Sequence, residues 1–342
     1  MFTFTKNDLY CLCSLFLTTS DEKELNMAHE LTQRIDGKYE MAFVGETPWH
    51  GLGQELQQDA SFDEWQKAAG MDWSIQSAPV LYTGKDPLPG VFKGQNVLYR
   101  SDNNEPLSVV TNRYKPVQPV EVLHFFKSLV EENGFKLHTA GTLKGGRRMW
   151  ALAETGNFGN VSENDKVGGY LLLSTSCDRT LATTARFTTI RVVCNNTLSM
   201  AVDCKADMVS FSHIQKFDHD VVKAKLSNSV ESFGAFMIMA KHLKKQQMNQ
   251  VAVDTFLFNL LKMPEQTCDL VANTRSFKKI AHLFDGEAKG YDMAKHTKWG
   301  MINAVTEYVD HFAGYSQDNR LNNAWFGSGE RLKNKAVELL LA

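Results

Sequence analysis

The chain has 342 residues, with 37 Lys and Arg against 39 Asp and Glu, a formal charge of −2, and 43% hydrophobic residues. This composition is typical of a soluble globular protein with one large domain or two modest ones. It excludes a membrane span, which needs roughly 18 consecutive apolar residues, and a fibrous or disordered chain. The near-zero charge also excludes a protein that coats nucleic acid by bulk charge, although not one with a local basic surface.

The first 26 residues differ in composition from the rest of the chain. An apolar run from Leu9 to Leu17 lacks the positive n-region and the small-residue cleavage site of a secretory signal. Lys23-Glu24-Leu25 is compatible with a purine-rich ribosome-binding tract before Met27. We therefore expect translation to start at Met27 and residues 1–26 to be a mis-assigned leader.

Beyond the leader, hydrophobic residues from Trp73 to about Ile190 recur mostly with a period near two, which predicts antiparallel strands. Turns are expected at Asp102-Asn103-Asn104, at Gly145-Gly146 and at Cys177-Asp178-Arg179. The predicted strands are Trp73 to Tyr82, Asn96 to Ser101, Leu107 to Thr111, Lys136 to Leu143, Arg147 to Glu154, Gly169 to Thr175 and Thr183 to Val192.

Helical spacing of apolar residues predicts one helix within this region, from Pro119 to Asn133, with Gly134 as its stop. A short helix is expected to begin at Asn195-Asn196-Thr197, where either Asn can cap it. After about Ser212 the period becomes helical. The first predicted helix of this region carries an apolar stripe from Val222 to Ala240. The further predicted helices span about Val251 to Leu261, Thr274 to Phe284, Thr297 to Ala313 and Ser328 to Leu341.

These elements predict an α+β fold, with a mostly antiparallel sheet and intervening helices followed by a helical C-terminal third. The predicted units are an antiparallel α+β core at residues 27–211 and a helical region at 212–342 packed on it. The cysteines beyond the leader form no CxxC pair, which is typical of cytoplasmic proteins. We expect Cys177, Cys194, Cys204 and Cys268 to be small buried hydrophobes, and no metal or cofactor site.

The most unusual local stretch is Gly45-Glu46-Thr47-Pro48-Trp49-His50-Gly51-Leu52-Gly53. Its glycines indicate a loop that turns sharply or approaches a partner closely. It is not a phosphate loop, because no Gly-Lys-Ser/Thr follows. His50 is a weak candidate for an acid or base, and a structural turn is the favoured interpretation.

The predicted hairpin around Gly145-Gly146 places Lys144, Arg147 and Arg148 beside Trp150. Guanidinium and indole groups are those that single-strand binders use to hold phosphate and to stack bases. A solvated turn is an equally good explanation. Strand alternation puts Arg148 and Trp150 on one face of the sheet and Arg147 on the other.

A second candidate site is the junction where the strand that carries Arg186 and Arg191 runs into the predicted helix start at Asn195 and Asn196. Free amides at a helix N-terminus beside Arg191 would bind an anion. The alternative is that an Asn only caps the helix while Arg191 pairs with an acid such as Asp203. Between Phe135 and Lys205 there are nine Lys and Arg against five Asp and Glu, a local basic excess.

Several of these stretches, in the same order, resemble the phage- and plasmid-like protein family, a domain of unknown function common in mobile elements. The similarity covers about Met27 to Leu341, and the family pattern carries His-Asp where this chain has Cys177-Asp178. It implies a role in the bacterial cytoplasm, in replication, recombination or protection of the element, and carries over no catalytic set. The matching stretches are GETPWHGLG, RYKPVQ, GRRMWALAE, LLLSTSCDRT, RFTTIRVVCNNTLSMA, NAVTEYVDH and RLNNAWFGSGERLKNKA.

The leading hypothesis is a non-enzymatic accessory protein of DNA metabolism that binds single-stranded DNA and, as an extension, anneals it. Its strand-then-helix layout is broadly similar to that of annealing proteins, which act as rings, so homo-oligomerisation through the helical third is a further expectation. The predicted nucleic-acid contacts are Lys144, Arg147, Arg148, Trp150, Arg186, Arg191, Asn195 and Asn196.

Two alternatives remain open. One is an enzyme that acts on a nucleotide or phosphate ester, with His50 as acid or base and Asp178 as its partner. The other is an inhibitor of a host factor that acts by protein–protein contact, which predicts a large exposed apolar or acidic patch outside the basic region.

Overall fold

A computed structural model describes residues 31–34, 36–45, 48, 51–85, 88–192, 196–199, 208–211, 213, 229–262, 267–314 and 320–342. His50 and Asn195, two of the predicted site residues, lie outside this part of the chain, as do Cys194, Cys204 and residues 1–30. The predicted start at Met27 therefore stays a prediction.

The larger sheet has eight strands in the order β10-β9-β8-β7-β6-β1-β2, with β11 also paired to β9. Its neighbours are antiparallel except for the parallel pair β1–β2. The strands are β1 (Met41–Val44), β2 (Gln54–Leu56), β6 (Lys136–Leu143), β7 (Arg148–Asn160), β8 (Lys166–Ser176), β9 (Thr183–Arg191), β10 (Asn196–Ser199) and β11 (Met208–Phe211).

A second, three-stranded antiparallel sheet has the order β3-β4-β5. Its end is joined to the larger sheet by a buried ion pair, in which Arg100 contacts Glu40 at 2.7 Å and lies over the Trp73 ring at 4.2 Å. The opposite end of this sheet, where β3 pairs with the start of β4, carries exposed apolar side chains. The strands are β3 (Ile75–Tyr82), β4 (Gly90–Arg100) and β5 (Pro106–Thr111).

Two helices precede the C-terminal third, and eight form most of it in the described residues. None of the helices in the described residues is long and apolar enough to cross a membrane. The helices are α1 (Phe62–Ala68), α2 (Pro119–Asn133), α3 (Ser229–Lys245), α4 (Gln250–Leu261), α5 (Cys268–Ala272), α6 (Arg275–His282), α7 (Tyr291–Ala294), α8 (Lys298–Glu307), α9 (Arg320–Phe326) and α10 (Ser328–Leu341), with π turns at Leu283–Glu287 and Tyr308–Phe312.

The two faces of the larger sheet are covered differently. On one face, small and aliphatic side chains such as Ala140, Ala151 and Leu171 pack with Phe125 and Phe126 of α2 in the main core. The other face carries a smaller cluster in which large side chains contact α9 near the C-terminus. This second cluster comprises Leu31, Met41, Leu143, Trp150, Leu152, Tyr170, Leu172, Ile190 and Leu321.

The α+β class and the order of strands before helices are confirmed. Helix α2 has the predicted bounds, and Gly134 ends it in the left-handed conformation at φ 69°. Gly145 and Gly146 have positive φ angles of 70° and 91°, as a tight turn requires. The last strand ends at Phe211 and the first C-terminal helix begins at Ser229, and the predicted division at 211/212 stays a prediction.

The helix expected at Asn195-Asn196-Thr197 is wrong. Asn196–Ser199 is strand β10, which pairs antiparallel with β9 and places Asn196 opposite Arg191. The hydroxyl groups of Thr188 and Thr189 both donate to the Leu198 carbonyl at 3.0 Å. An Asn can cap a helix only where helical residues follow, and here pairing with β9 outweighs that local preference.

Candidate functional site

The predicted contact residues Arg148 and Trp150 share one face of β7, as alternation predicts, but both are buried. The Arg148 guanidinium donates to the side chains of Asn322 and Thr180, and it lies 5.2 Å from the centre of the Phe326 ring. Trp150 is fully buried and meets Trp325 edge to face at 5.0 Å. Helix α9 therefore covers the face of β7 on which Arg148 and Trp150 lie.

Arg186 lies on the same face and contacts the same helix. It pairs with Glu330, donates to the Trp325 carbonyl and lies 6.0 Å from the Phe326 ring. Burial lowers the pKa of its guanidinium to about 10. The structure therefore brings Arg186 and Arg148 together around Phe326, as an internal contact between the sheet and the C-terminal helices.

Arg191 faces the other side of the sheet, where it is held by a buried acid. Its Nε lies 2.5 Å from Asp165, and its other nitrogens donate to the carbonyls of Lys289 and Gly290 at 3.2 and 3.0 Å. Trp299 completes the cluster by donating to Asp165 at 2.9 Å. In the described part of the chain the acid that pairs with Arg191 is Asp165, and Asp203 lies outside that part. The predicted helix N-terminus at Asn195 and Asn196 is replaced by strand β10.

These contacts bear on the predicted nucleic-acid surface, which stays a prediction. Arg148, Arg186 and Arg191 each have partners inside the protein, and Arg148 and Arg191 are buried. Of the remaining turn residues, Arg147 is exposed, and Lys144 is half-buried with a φ of 56°.

Asp178, the proposed partner of His50, belongs to the turn between β8 and β9. It accepts hydrogen bonds from the backbone and hydroxyl of Thr180. Burial raises the pKa of the Asp178 carboxyl, but hydrogen bonds from Thr180 and Ser176 and the charge of Arg148 together leave the pKa below its ordinary value. Asp178 is not among the residues that line the cavity described below.

The cysteine expectations have mixed outcomes. Cys177 is buried, and burial raises the pKa of its thiol to about 12, which fits a small hydrophobe. Cys268 is exposed, so that expectation is wrong there. Within the described ranges no group of three or more His, Cys, Asp or Glu side chains is placed to hold a metal ion.

The strongest candidate site is a cavity of about 480 Å³ on the sheet face that carries Trp150. Strands β6, β7 and β8 form its base, and α1, the end of α2 and α9 contribute to its walls. Its aromatic lining residues are Phe62, Trp65, Phe135, His138, Trp150, Phe158, Tyr170 and Trp325. Such volume and lining are typical of sites for small ligands.

A β-bulge turns His138 into this cavity. Leu137 pairs with Ala153 and Thr139 pairs with Leu152, so β6 holds one residue more than β7 at this point. Bulges redirect side chains and occur often beside active sites. The imidazole of His138 meets the Tyr170 ring edge to face at 5.2 Å, on the same face as Trp150.

Three polar atoms of cavity-lining side chains are buried without a hydrogen-bond partner among the described residues: His138 Nδ1, Thr139 Oγ1 and Trp150 Nε1. Thr139 is 5% exposed and Trp150 is 0% exposed. Buried polar groups in proteins are nearly always paired, and an unpaired one calls for an explanation such as a missing ligand. Burial also lowers the pKa of His138 to about 4, so its imidazole is neutral at pH 7.

Four charged side chains line the cavity, and they differ in burial. Asp310 is buried and pairs with Lys333 at 2.9 Å, and Glu154 is half-buried opposite Lys136. Lys136 and Lys166 are exposed, and the Lys166 ammonium lies 4.2 Å from the centre of the Phe158 ring. Gly45 and Pro48 also line the cavity, so the GETPWHGLG loop borders it. The cavity thus has unpaired polar atoms at its base, exposed lysines at its mouth and two carboxylates in its lining.

Sequence analysis missed His138, Thr139 and Tyr170 as site residues. A signal was present, because the strand Lys136-Leu137-His138-Thr139 carries more polar residues than a buried strand needs. The bulge that unites His138 with Thr139 depends on pairing with β7, and single-strand alternation does not predict it.

Together these features define an α+β protein with an aromatic, internally polar cavity on one face of an antiparallel sheet. Residues 106–326, more than half of the chain, match the model of the family described as "Domain of unknown function (DUF932)". The chain therefore belongs to the DUF932 family. No curated protein and no solved structure gave a significant match.

Proposed function

We propose that the protein binds single-stranded nucleic acid by taking an unstacked base into the aromatic cavity. The observation that carries this proposal is the set of unpaired polar atoms on His138, Thr139 and Trp150 at the base of an aromatic site. A nucleobase is planar and uncharged, with hydrogen-bonding groups on its edge. It offers stacking to the aromatic walls and hydrogen bonds to the base of the cavity.

The charge distribution supports the same ligand. The imidazole of His138 is neutral at pH 7, which favours an uncharged group inside the cavity. Lys136 and Lys166 at the mouth suit the phosphates on either side of a captured base. In this proposal the phosphates contact Lys136 and Lys166 at the mouth of the cavity, rather than the surface predicted around Arg148, Arg186 and Arg191.

The wider role stays part of this proposal. The resemblance to phage- and plasmid-like proteins supports an accessory role in replication or recombination of a mobile element, in the bacterial cytoplasm. Annealing of strands and homo-oligomerisation are extensions of the same proposal.

The test is fluorescence anisotropy with single-stranded DNA, duplex DNA and RNA oligonucleotides across a salt series. We expect binding to single strands, with a slope of log K against log salt of about −1.4, from two phosphates at roughly −0.7 each. Lack of binding at low salt would contradict the proposal.

A matched pair of variants locates the contact. Phe158 at the cavity mouth is 39% exposed, and Phe92 on the second sheet is 52% exposed. Phe158→Ala should weaken binding by about tenfold, because one stacked base contributes roughly 1–3 kcal/mol. Phe92→Ala should leave the affinity unchanged.

A protein–protein role is the second candidate function, and the hairpin of β3 and β4 favours it. Leu81, Tyr82, Leu88, Val91 and Phe92 are each more than half exposed at this end of the second sheet. Such an apolar patch, outside the basic region, is what an inhibitor of a host factor needs. Capture of a host protein that is lost with Leu88→Ser, but not with Phe158→Ala, would favour it.

For the enzyme alternative, the relevant observation is that the loop which contains His50 borders the cavity through Gly45 and Pro48. Asp178, its suggested partner, is held in the β8–β9 turn by Thr180 instead. Turnover of a nucleotide that His50→Gln abolishes would support this alternative.

A further inference from the structure

We infer that the cavity receives a base edge-first, with its Watson–Crick edge against Thr139, Trp150 and His138, so that a captured base cannot be paired. This inference rests on the proposed function and specifies the orientation of the ligand. It follows from where the polar and charged groups of the cavity lie.

The burial of the lining residues defines an inner end and a mouth. Thr139 and Trp150 at the inner end are almost fully buried, whereas Lys136, Lys166 and Phe158 at the mouth are exposed. The sugar–phosphate backbone is too large and too charged for the inner end, so it stays at the lysines. The edge of the base farthest from its sugar is then the edge that reaches Thr139 and Trp150, and this is the edge used in pairing.

The hydrogen-bonding capacity of the inner end matches such an edge. The Trp150 indole can only donate, while the Thr139 hydroxyl and the neutral His138 imidazole can each donate or accept. A base edge carries neighbouring donors and acceptors, which are the types of group that these three side chains require as partners. A hydrocarbon ligand of the same size would leave them unpaired, which is unfavourable in a buried site.

The consequence is that base capture and base pairing exclude each other. A protein of this kind holds a strand in the unpaired state, and annealing requires that the base first leaves the cavity. Duplex DNA binds only where a base is extruded, and extrusion adds an unstacking penalty.

The direct test uses an oligothymidylate and a water-soluble carbodiimide, which modifies N3 on the pairing edge of thymine. With the full-length protein at saturation, we expect a fraction of the thymines to be protected. Stacking on aromatic faces alone leaves N3 reactive, so unchanged reactivity in the bound strand would overturn the inference while the proposed function stands. Absence of binding by anisotropy would overturn both.

Two variants assign the protection to the inner end. Thr139→Val and Trp150→Phe each remove one hydrogen-bonding group and keep most of the side chain, so we expect about fivefold weaker binding and restored N3 reactivity. Thr111→Val, at an exposed threonine of β5, is the control and should keep full protection. Restored reactivity in the control as well would contradict the assignment.

A competition experiment with the unmodified protein does not depend on the folding of variants. Thymidine should displace the labelled oligonucleotide, and N3-methylthymidine, which has the same ring but a blocked edge, should be at least about fivefold weaker. Equal competition by the two nucleosides would overturn the inference.

Discussion

The two faces of the larger sheet each hold a buried polar cluster, and the clusters differ in one respect. Around Arg191 the charges are matched, because Asp165, two backbone carbonyls and the Trp299 indole provide partners for one another. Around Trp150 the polar atoms are buried without partners. The first arrangement is complete without a ligand, whereas the second is not. Burial of a polar residue alone therefore does not indicate a site, whereas three unpaired polar atoms in the lining of one cavity make it a candidate.

The largest expected effect is a loss of stability when the ion pair between Arg191 and Asp165 is broken. Arg191→Met should destabilise the protein by about 3–5 kcal/mol, because it leaves the buried Asp165 carboxylate without a counter-charge. Urea denaturation followed by circular dichroism measures this change. The double variant Arg191→Met with Asp165→Asn should recover part of the loss, and a double variant as unstable as the single one would contradict the pairing argument.

The second prediction concerns how the stability of the folded protein depends on pH through His138, on the sheet face that carries Trp150. The pKa of His138 is lowered to about 4 in the folded protein, against about 6.5 in an unfolded chain. Above pH 6.5 the imidazole is neutral in both states and contributes nothing to the pH dependence. As the pH falls from 6.5 to 4 the unfolded state binds the proton first, so stability decreases by about 3 kcal/mol.

The measurement is the free energy of unfolding between pH 7 and pH 4 for the protein and for His138→Gln. The variant should show a shallower decrease over this window. Parallel curves would mean that His138 is not the group responsible.

A smaller effect on stability is expected at two threonines of strand β6, which differ in their hydrogen bonds. The Thr142 hydroxyl donates to Glu40 and contacts Thr32, whereas the Thr139 hydroxyl has no partner. Thr142→Val should cost about 1–3 kcal/mol, because it removes one hydrogen bond to the buried Glu40 carboxylate, whose other donor is Arg100, and Thr139→Val should change stability by less than about 0.5 kcal/mol. Thermal unfolding of the two variants separates them, and equal losses would remove the distinction between the clusters.

The smallest effect is expected at the turn that links β6 and β7. Arg147 is exposed there, so Arg147→Ala should change stability by less than about 0.5 kcal/mol. It should also leave oligonucleotide affinity unchanged, since the proposed contact lies at the cavity. A loss of affinity would restore the hairpin as a nucleic-acid contact.

Elements with strong local signals were predictable from the sequence. Helix α2 begins with Pro119 and ends at Gly134, and both positions are set by backbone preferences of the residues themselves. Strand β10 was not predictable, because its conformation depends on hydrogen bonds to β9 rather than on its own residues. The contacts of the arginines were equally unpredictable, because Arg186 contacts Trp325, a residue 139 positions further along the chain.

The site was predictable only in part. Alternation correctly placed Arg148 and Trp150 on one face, but it gave no indication that α9 covers them. The cavity depends on a shift of register between β6 and β7, which exists only once the two strands are paired. Patterns along one strand describe which side chains share a face, and not what lies over that face.

The bulge at His138 also has an evolutionary consequence. Because β6 contains one residue more than β7 between Leu137 and Thr139, deletion of a single codon there would restore a regular ladder. The sheet and its cores would persist, while the imidazole would be lost from the cavity. A single in-frame deletion would therefore remove one of the three unpaired polar groups of the cavity and leave the pairing of β6 with β7 regular on both sides.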